Sequence, residues 1–72
     1  MIDIKKTGQR IRDKSKEKGL KAKEISEKVG VRKITVYKWM EGYFLPTIDN
    51  LLELAHMFGC KIDDLLEEYS DE

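Results

Sequence analysis

Hydrophobic residues recur along the chain with the three- and four-residue spacing of α-helices. The pattern is clear where Val29 follows Ile25, and where Trp39 and Met40 follow Val36. The alternation at every second residue that is typical of strands is nearly absent. Five glycines and one proline punctuate the sequence, at Gly8, Gly19, Gly30, Gly42, Pro46 and Gly59. We therefore predict an all-α, compact five-helix bundle, with helices near residues 4–18, 22–29, 33–41, 48–58 and 62–68.

The starts of these helices differ in how well their backbone amides are capped. Thr47 can cap the fourth helix, but Lys21, Arg32 and Lys61 stand before the second, third and fifth. A cation at a helix N-terminus opposes the helix dipole at a cost of about 0.3 to 1 kcal/mol. A bound phosphate would reverse that effect at Lys21 and Arg32. Lys61 lies in an acidic stretch and is interpreted as a surface residue.

Length and composition exclude several classes of protein. The 72 residues suffice for one small domain, which we place over residues 1–72. Cys60 is the only cysteine and His56 the only histidine, so the sequence offers neither a disulfide nor a zinc site and predicts a cytoplasmic protein. No apolar run is long enough for a membrane span. We expect no cofactor, no metal and no membrane partner.

The charge is unevenly distributed along the chain. Residues 1–41 carry 13 basic and 6 acidic residues, a balance of +7, whereas residues 42–72 carry 1 and 8, a balance of −7. The chain ends in a short acidic tail, residues 69–72. One interpretation is that the basic and acidic helices attract each other within the fold. The other is a nucleic-acid partner for the basic part, which needs a motif to support it.

The segment 22–41 has the spacing of a helix-turn-helix unit. Ser26 stands four residues before Gly30, and about three residues centred on that glycine join the two predicted helices. A small side chain in the first helix lets the second approach closely, and the glycine permits a tight turn. In such units the second helix enters the major groove of DNA.

From Gly8 to Leu66 the chain resembles the Cro and phage-repressor type of helix-turn-helix protein, the XRE family with its lambda-repressor-like fold. The matching positions are Gly19-Leu20, Ile25, Ser26, Gly30-Val31, Val36, Trp39, Gly42, Leu45-Pro46-Thr47, Leu51, Leu54-Ala55, Phe58-Gly59 and Ile62-Asp63-Asp64-Leu65-Leu66. The resemblance implies a transcriptional repressor that reads a partly palindromic operator in double-stranded DNA as a homodimer.

Roles for individual residues follow from this resemblance. Base-reading positions of the third helix fall on Lys33, Ile34 and Lys38. Lysine can donate to guanine, and Ile34 offers apolar contact to a thymine methyl group. Contacts to the DNA backbone fall on Lys21, Lys23, Arg32, Thr35, Tyr37 and Tyr43, of which Tyr37 is equally compatible with a half-exposed aromatic residue.

The sequence also departs from the family pattern. Ala22 replaces a common glutamine that binds phosphate, and Ser15 and Met40 replace a common arginine and glutamate that form an ion pair. Because both charges are absent together, no charge is left buried without a partner. We expect an apolar or weakly polar contact at that place.

The remaining candidate residues have plainer interpretations. Trp39 is expected in the core, His56 and Cys60 are expected to be ordinary residues, and the acidic pairs Asp63-Asp64 and Glu67-Glu68 are expected on a solvated surface. Apolar residues toward the C-terminus exceed what a short helix needs for its own packing. We therefore expect a dimer interface at Phe44, Phe58, Leu66 and Tyr69.

Two functions remain open at this stage. The first is a dimeric transcriptional repressor, and the alternative is an antitoxin or protein-interaction module that uses the same fold to bind a protein partner. No constellation of residues supports an enzyme, and no small-molecule substrate is evident.

Overall fold

The structure is a computed structural model that describes residues 1–70, and it consists of four α-helices and a short 3₁₀ turn. The helices are α1 (Ile4–Glu17), α2 (Ala22–Val29), α3 (Lys33–Met40) and α4 (Ile48–Phe58), followed by the 3₁₀ turn Ile62–Asp64. The prediction of an all-helical fold is confirmed, and the predicted bounds of the first four helices agree to within one residue. Of the predicted acidic tail, Asp71 and Glu72 lie outside the described residues.

The prediction of a fifth α-helix over residues 62–68 is wrong. The amides of Leu65 and Leu66 still bond to the carbonyl oxygen of Ile62, but helical bonding ends there. The Glu67 amide instead donates to Thr7 Oγ1 at 3.0 Å, and the Tyr69 amide donates to the carbonyl oxygen of Met1 at 3.0 Å. Bonds to the N-terminal segment thus replace the helical bonds that a fifth helix would need.

The two ends of the chain pair through their backbones. The Asp3 amide donates to the carbonyl oxygen of Glu67 at 2.7 Å, and Ile2 forms an isolated antiparallel bridge with Glu68. Arg10 reinforces the contact by an ion pair with Glu67 and a hydrogen bond to the carbonyl oxygen of Asp64. We call residues 1–3 and 67–69 the terminal clasp.

The helix starts agree with the sequence expectations. The Thr47 side chain accepts from the Asn50 amide at 3.3 Å and caps α4. Lys21, Arg32 and Lys61 occupy the N-cap positions of α2, α3 and the 3₁₀ turn, and none of the three caps with its side chain. The first turns of α2 and α3 therefore begin without a side-chain acceptor at the N-cap.

Gly8 has a different role from the other glycines, because it lies in the middle of α1 and does not interrupt it. A β-carbon at this position would collide with the carbonyl oxygens of Trp39 and Met40 at the end of α3. The missing side chain therefore allows α1 and the end of α3 to cross in close contact.

The core lies where the helices meet: α3 packs on both α1 and α2, and α4 packs on α2 and the 3₁₀ turn. Trp39 is only 2% exposed, which confirms its expected place in the core. The buried apolar side chains are Ile11, Ala22, Ile25, Val36, Trp39, Met40, Leu51, Leu54, Ala55, Phe58 and Leu65. This core leaves one face of α3 in solvent.

Candidate nucleic-acid interface

The outer side of α3 carries a continuous row of exposed side chains. These side chains are three or four residues apart, or adjacent, and so lie on one side of the helix: Lys33, Ile34, Tyr37, Lys38 and Glu41. The opposite side holds the buried residues of this helix, namely Val36, Trp39 and Met40. We call the exposed row the α3 face.

The position of the α3 face depends on the turn before it. Gly30 ends α2 with a φ of 87°, a left-handed conformation that glycine adopts without steric cost. The amides of Gly30 and Val31 both donate to the carbonyl oxygen of Ser26. Ser26 is buried and turns its hydroxyl back onto the Lys23 carbonyl oxygen at 2.7 Å. The second helix can therefore approach the first closely at this point.

The α3 face borders an open groove of about 610 Å³. Its lining residues are Ile34, Tyr37, Lys38, Glu41, Tyr43 and Phe44. Ile34 is 50% exposed and Tyr43 is 69% exposed. The groove therefore combines apolar and aromatic surface with one cation and one carboxylate, which suits contact with base edges and sugars.

The basic side chains near this face are exposed and have no charged partner among residues 1–70. Lys21, Lys23, Arg32, Lys33 and Lys38 are all exposed. Within residues 1–70 the single ion pair is the one between Arg10 and Glu67, in the terminal clasp region. The positive charge at α2 and α3 is thus available to an anionic partner rather than being neutralised inside the fold.

The backbone adds hydrogen-bond donors at the same place. The first helical bond of α2 runs from the Ile25 amide to the carbonyl oxygen of Lys21, so the amides of Ala22, Lys23 and Glu24 have no backbone partner within the helix. At α3 the corresponding first bonds run from Thr35 and Val36 to the carbonyl oxygen of Arg32. A helix N-terminus with free amides and an adjacent cation favours an anion such as phosphate.

The other residues predicted for backbone contact lie around this region. Thr35 is half-buried, and Tyr37 is 43% exposed on the α3 face. Tyr43 follows α3 and lines the groove together with Tyr37. The structure therefore brings Ile34, Tyr37, Lys38 and Tyr43 to one surface, with Lys33 on the same side of α3. Thr35 is not part of the α3 face.

Of the four residues predicted for a dimer interface, one lies in the core and three retain some exposed surface. Phe58 is 1% exposed and lies in the core, which corrects its assignment, because a second chain could reach it only by opening the fold. Phe44 lines the groove beside α3. Leu66 is half-buried near Ile2, and Tyr69 is 55% exposed at the clasp.

Sequence reasoning overlooked two pairs of surface residues. Arg12 and Lys16 of α1 border a second depression beside the N-terminus of α2. Their four-residue spacing was a signal that both lie on one side of a helix. Ile48 and Leu52 of α4 are 70% and 47% exposed at the same spacing, and nothing in the described residues covers them.

The residues considered for other chemistry do not assemble into a site. In the part of the chain that the structure describes, no three His, Cys, Asp or Glu side chains are close enough to hold a metal ion. Burial raises the pKa of the Cys60 thiol, although Lys14 and Lys18 act in the opposite direction. None of the helices within residues 1–70 is long and apolar enough to cross a membrane.

The chain is similar to known proteins of one kind. A family model described as helix-turn-helix matches residues 11–65. The restriction-modification controller protein C.AhdI from Aeromonas hydrophila superposes with a TM-score of 0.79 at 27% identity, over 88% of this chain and 96% of that one. No curated protein sequence matches the chain.

Two further solved structures are similar. The P22 c2 repressor, crystallised with a synthetic operator, has a TM-score of 0.79 and 30% identity over 85% of this chain and 92% of its own. A transcriptional regulator from Listeria innocua has a TM-score of 0.78 and 32% identity over 92% of this chain and 64% of its own.

Proposed function

Because the chain belongs to the helix-turn-helix family of Cro and phage-repressor type, we propose that it is a sequence-specific, dimeric transcriptional repressor that binds double-stranded DNA. One observation carries the proposal: α3 exposes Lys33, Ile34 and Lys38 beside cations that have no charged partner within the described residues. In this proposal residues 1–72 act as one DNA-binding domain in the cytoplasm, and the protein is a regulator rather than an enzyme.

Base reading is assigned to the α3 face. Lys33 and Lys38 donate to O6 and N7 of guanine in the major groove, and Ile34 contacts the methyl group of thymine. A good pair of contacts to one base discriminates against the wrong base by about 1 to 3 kcal/mol. The operator is therefore expected to contain guanines next to a thymine in each half-site.

Backbone contacts fix the register of the domain on the duplex. Lys21 and Arg32 bind phosphates together with the free amides that follow them in α2 and α3. Lys23, Thr35, Tyr37 and Tyr43 complete the set of backbone contacts. These contacts are sequence-independent and make the affinity depend steeply on salt concentration.

A homodimer on a partly palindromic operator is part of the proposal. With Phe58 in the core, the proposed contacts between the two copies reduce to Phe44, Leu66 and Tyr69, which retain exposed apolar surface. Two copies related by a two-fold axis would present two α3 faces about one helical turn of DNA apart. If the protein sediments as a strict monomer at high micromolar concentration, both without and with the operator, the proposal of a homodimer is wrong.

The test begins with selection of bound duplexes from a random pool. Fluorescence anisotropy of the winning duplex and a scrambled duplex at two salt concentrations then gives the specificity. We expect an inverted repeat that binds about a thousandfold more tightly than the scramble. Weak binding without an enriched site would refute sequence-specific reading and leave only attraction to the DNA backbone.

Substitutions identify the surface responsible. Lys33→Ala and Lys38→Ala should each weaken operator binding by about 5- to 150-fold, equivalent to 1 to 3 kcal/mol, with an unchanged circular dichroism spectrum. Lys18→Ala is the matched control, because Lys18 is exposed at the end of α1 beside Gly59. Equal losses in all three variants would contradict base reading by α3.

The alternative function is an antitoxin or protein-interaction module. The exposed pair Ile48 and Leu52 on α4 favours it, because apolar side chains at helical spacing suit a protein partner. Under this alternative, Lys33→Ala and Lys38→Ala would leave the partner complex unchanged, and Ile48→Glu with Leu52→Glu would abolish it. If the protein is a repressor, the two lysine variants should lose affinity for the operator.

A further inference from the structure

Two glycines lie where α1 crosses the end of α3. Gly8 is inside α1, and Gly42 follows α3 with a φ of 80°. A β-carbon on Gly8 would lie 2.9 Å from the carbonyl oxygen of Met40 and closer still to that of Trp39. A β-carbon on Gly42 would lie 2.7 Å from the α-carbon of Lys5. We call this approach of Lys5 and Gly8 to residues 39–42 the glycine contact.

The glycine contact joins the two helices through their backbones. Buried side chains elsewhere on α3 can change rotamer to absorb a small shift, whereas a carbonyl oxygen moves only with its helix. Carbon and oxygen atoms in close contact are about 3.3 to 3.6 Å apart. A β-carbon on Gly8 would therefore push the end of α3 away from α1 by about half an ångström or more. The contact thus fixes the distance between the helices at this point.

Gly19 shows what such a turn requires when no second helix is close. Gly19 and Gly42 are each the second residue after their helix, with φ values of 67° and 80°. The amide of each donates to the carbonyl oxygen three residues earlier, and the next amide donates to the one five residues earlier. A β-carbon on Gly19 would meet no atom within 4 Å. The turn alone thus explains Gly19, but Gly42 also serves the contact with α1.

The end of α3 carries two residues that are proposed to bind DNA. The Tyr43 amide donates to the carbonyl oxygen of Lys38 at 3.0 Å, and the Gly42 amide donates to that of Trp39 at 3.1 Å. The loop after α3 is therefore held against the last turn of the helix and moves with it. Lys38 and Tyr43 both line the groove beside α3. A shift of the end of α3 would displace both side chains relative to the rest of the domain.

We infer that Gly8 and Gly42 are positioning residues for the reading of duplex DNA. They act without touching the duplex, by setting the position and angle at which α1 holds α3. The inference rests on the proposed function. Hydrogen bonds to base edges weaken steeply when distance and angle are wrong. Contacts to phosphates hold any sequence, so loss of the glycine contact lowers discrimination between duplexes more than it lowers affinity for DNA in general.

The experiment compares the affinities of the full chain for the selected operator and for a scrambled duplex. Gly42→Ala and Gly19→Ala make the same change at the same position of a turn, but only the first meets the backbone of another helix. Gly42→Ala should lower the ratio of the two affinities by about fivefold or more, which corresponds to the loss of one base contact. Gly19→Ala, the matched control, should leave the ratio unchanged.

Gly8→Ala separates the contact from the loop, because it alters α1 and leaves residues 41–45 as they are. Alanine is the better helix former, so helix propensity alone favours this variant. A folded Gly8→Ala should also lower the ratio by about fivefold or more, since it separates the same two backbones. If Gly8→Ala does not fold, the comparison of Gly42→Ala with Gly19→Ala decides.

A purely structural role of the glycines predicts a different result. A destabilised variant binds the operator and the scramble more weakly by the same factor, because only its folded fraction binds. The ratio would then stay constant, and thermal melting of each variant gives the folded fraction. An unchanged ratio in Gly42→Ala or in folded Gly8→Ala would overturn the inference, as would an equal reduction in Gly19→Ala.

The failure of this inference is distinguishable from the failure of the proposed function. If the unaltered chain selects no operator, sequence-specific reading fails, and the positioning role fails with it. If the unaltered chain has an operator and Gly42→Ala keeps the full ratio, the operator-reading proposal stands and only the positioning role is refuted.

Discussion

The surface around α2 and α3 and the region of the terminal clasp contain charges that are used in opposite ways. Near the clasp, Glu67 pairs with Arg10, and the Asp3 and Asp64 carboxylates accept backbone amides. Around α2 and α3 the cations have no charged partner in the part of the chain that the structure describes. The net charge of zero therefore conceals one region whose charges stabilise the fold and another whose charges are free to bind.

Helix capping shows the same difference. Asp3 caps α1 by accepting the Lys6 amide at 3.1 Å, and Thr47 caps α4. The two helices of the proposed DNA-binding unit begin instead with Lys21 and Arg32, which cannot accept. Stability is thus lower than it could be at the positions where a phosphate is proposed to bind, which is a common compromise at functional sites.

Two phenylalanines give the largest expected difference between the regions. Phe58→Ala should lower the free energy of unfolding by about 3 to 5 kcal/mol, because it empties a fully buried site. Phe44→Ala should change it by less than about 0.5 kcal/mol, because this ring is 43% exposed beside α3. Urea denaturation measures both. Similar losses for the two variants would contradict the placement of Phe58 in the core.

The terminal clasp should show an intermediate effect. Thr7 is fully buried, and its hydroxyl accepts the Glu67 amide. Thr7→Val keeps the shape but removes the acceptor, so we expect a loss of about 1 to 3 kcal/mol by thermal denaturation. Thr35→Val, in the half-exposed part of α3, is the control and should be close to neutral. An unchanged midpoint for Thr7→Val would mean that the clasp adds nothing to stability.

The smallest expected effect has opposite signs for stability and binding. Arg32→Ser supplies the missing cap of α3 and should raise the free energy of unfolding by about 1 kcal/mol. The same change removes a proposed phosphate ligand and should weaken duplex binding. Lys61→Ser, made at the N-cap of the 3₁₀ turn, should leave duplex affinity unchanged. If Arg32→Ser bound DNA as tightly as the unaltered chain, Arg32 would not be a phosphate ligand.

Much of the fold could be predicted because its signals are local. Apolar spacing, the Thr47 cap and glycines such as Gly30 are properties of neighbouring residues, and the first four helices followed from them. The apolar spacing that predicted a fifth helix is also a local signal, and it carries no information about hydrogen bonds to distant residues. Helical bonding of this segment is prevented by Thr7 and Met1, which are about sixty residues or more away in the chain. These two residues accept hydrogen bonds from the amides of Glu67 and Tyr69.

The candidate site likewise has one part that local signals predict and one part that depends on contacts between helices. The row of residues on α3 follows from helical spacing and from the family resemblance, and Lys33, Ile34 and Lys38 are indeed exposed together. The approach of Arg12 and Lys16 to Lys21 depends on how α1 crosses the other helices. No pattern along the chain measures that distance, so these two residues were overlooked.

The sequence by itself determined the first four helices and the uneven charge, because each depends on residue type and on spacing within one helix. It determined the type of protein through the family resemblance of residues from Gly8 to Leu66. The tertiary structure alone decided that Phe58 lies in the core, that Gly8 marks a helix crossing and that the chain ends form the clasp. These outcomes depend on which surfaces are in contact. The contacts are determined by packing and by hydrogen bonds between residues that are distant in the chain, and the sequence does not show them directly.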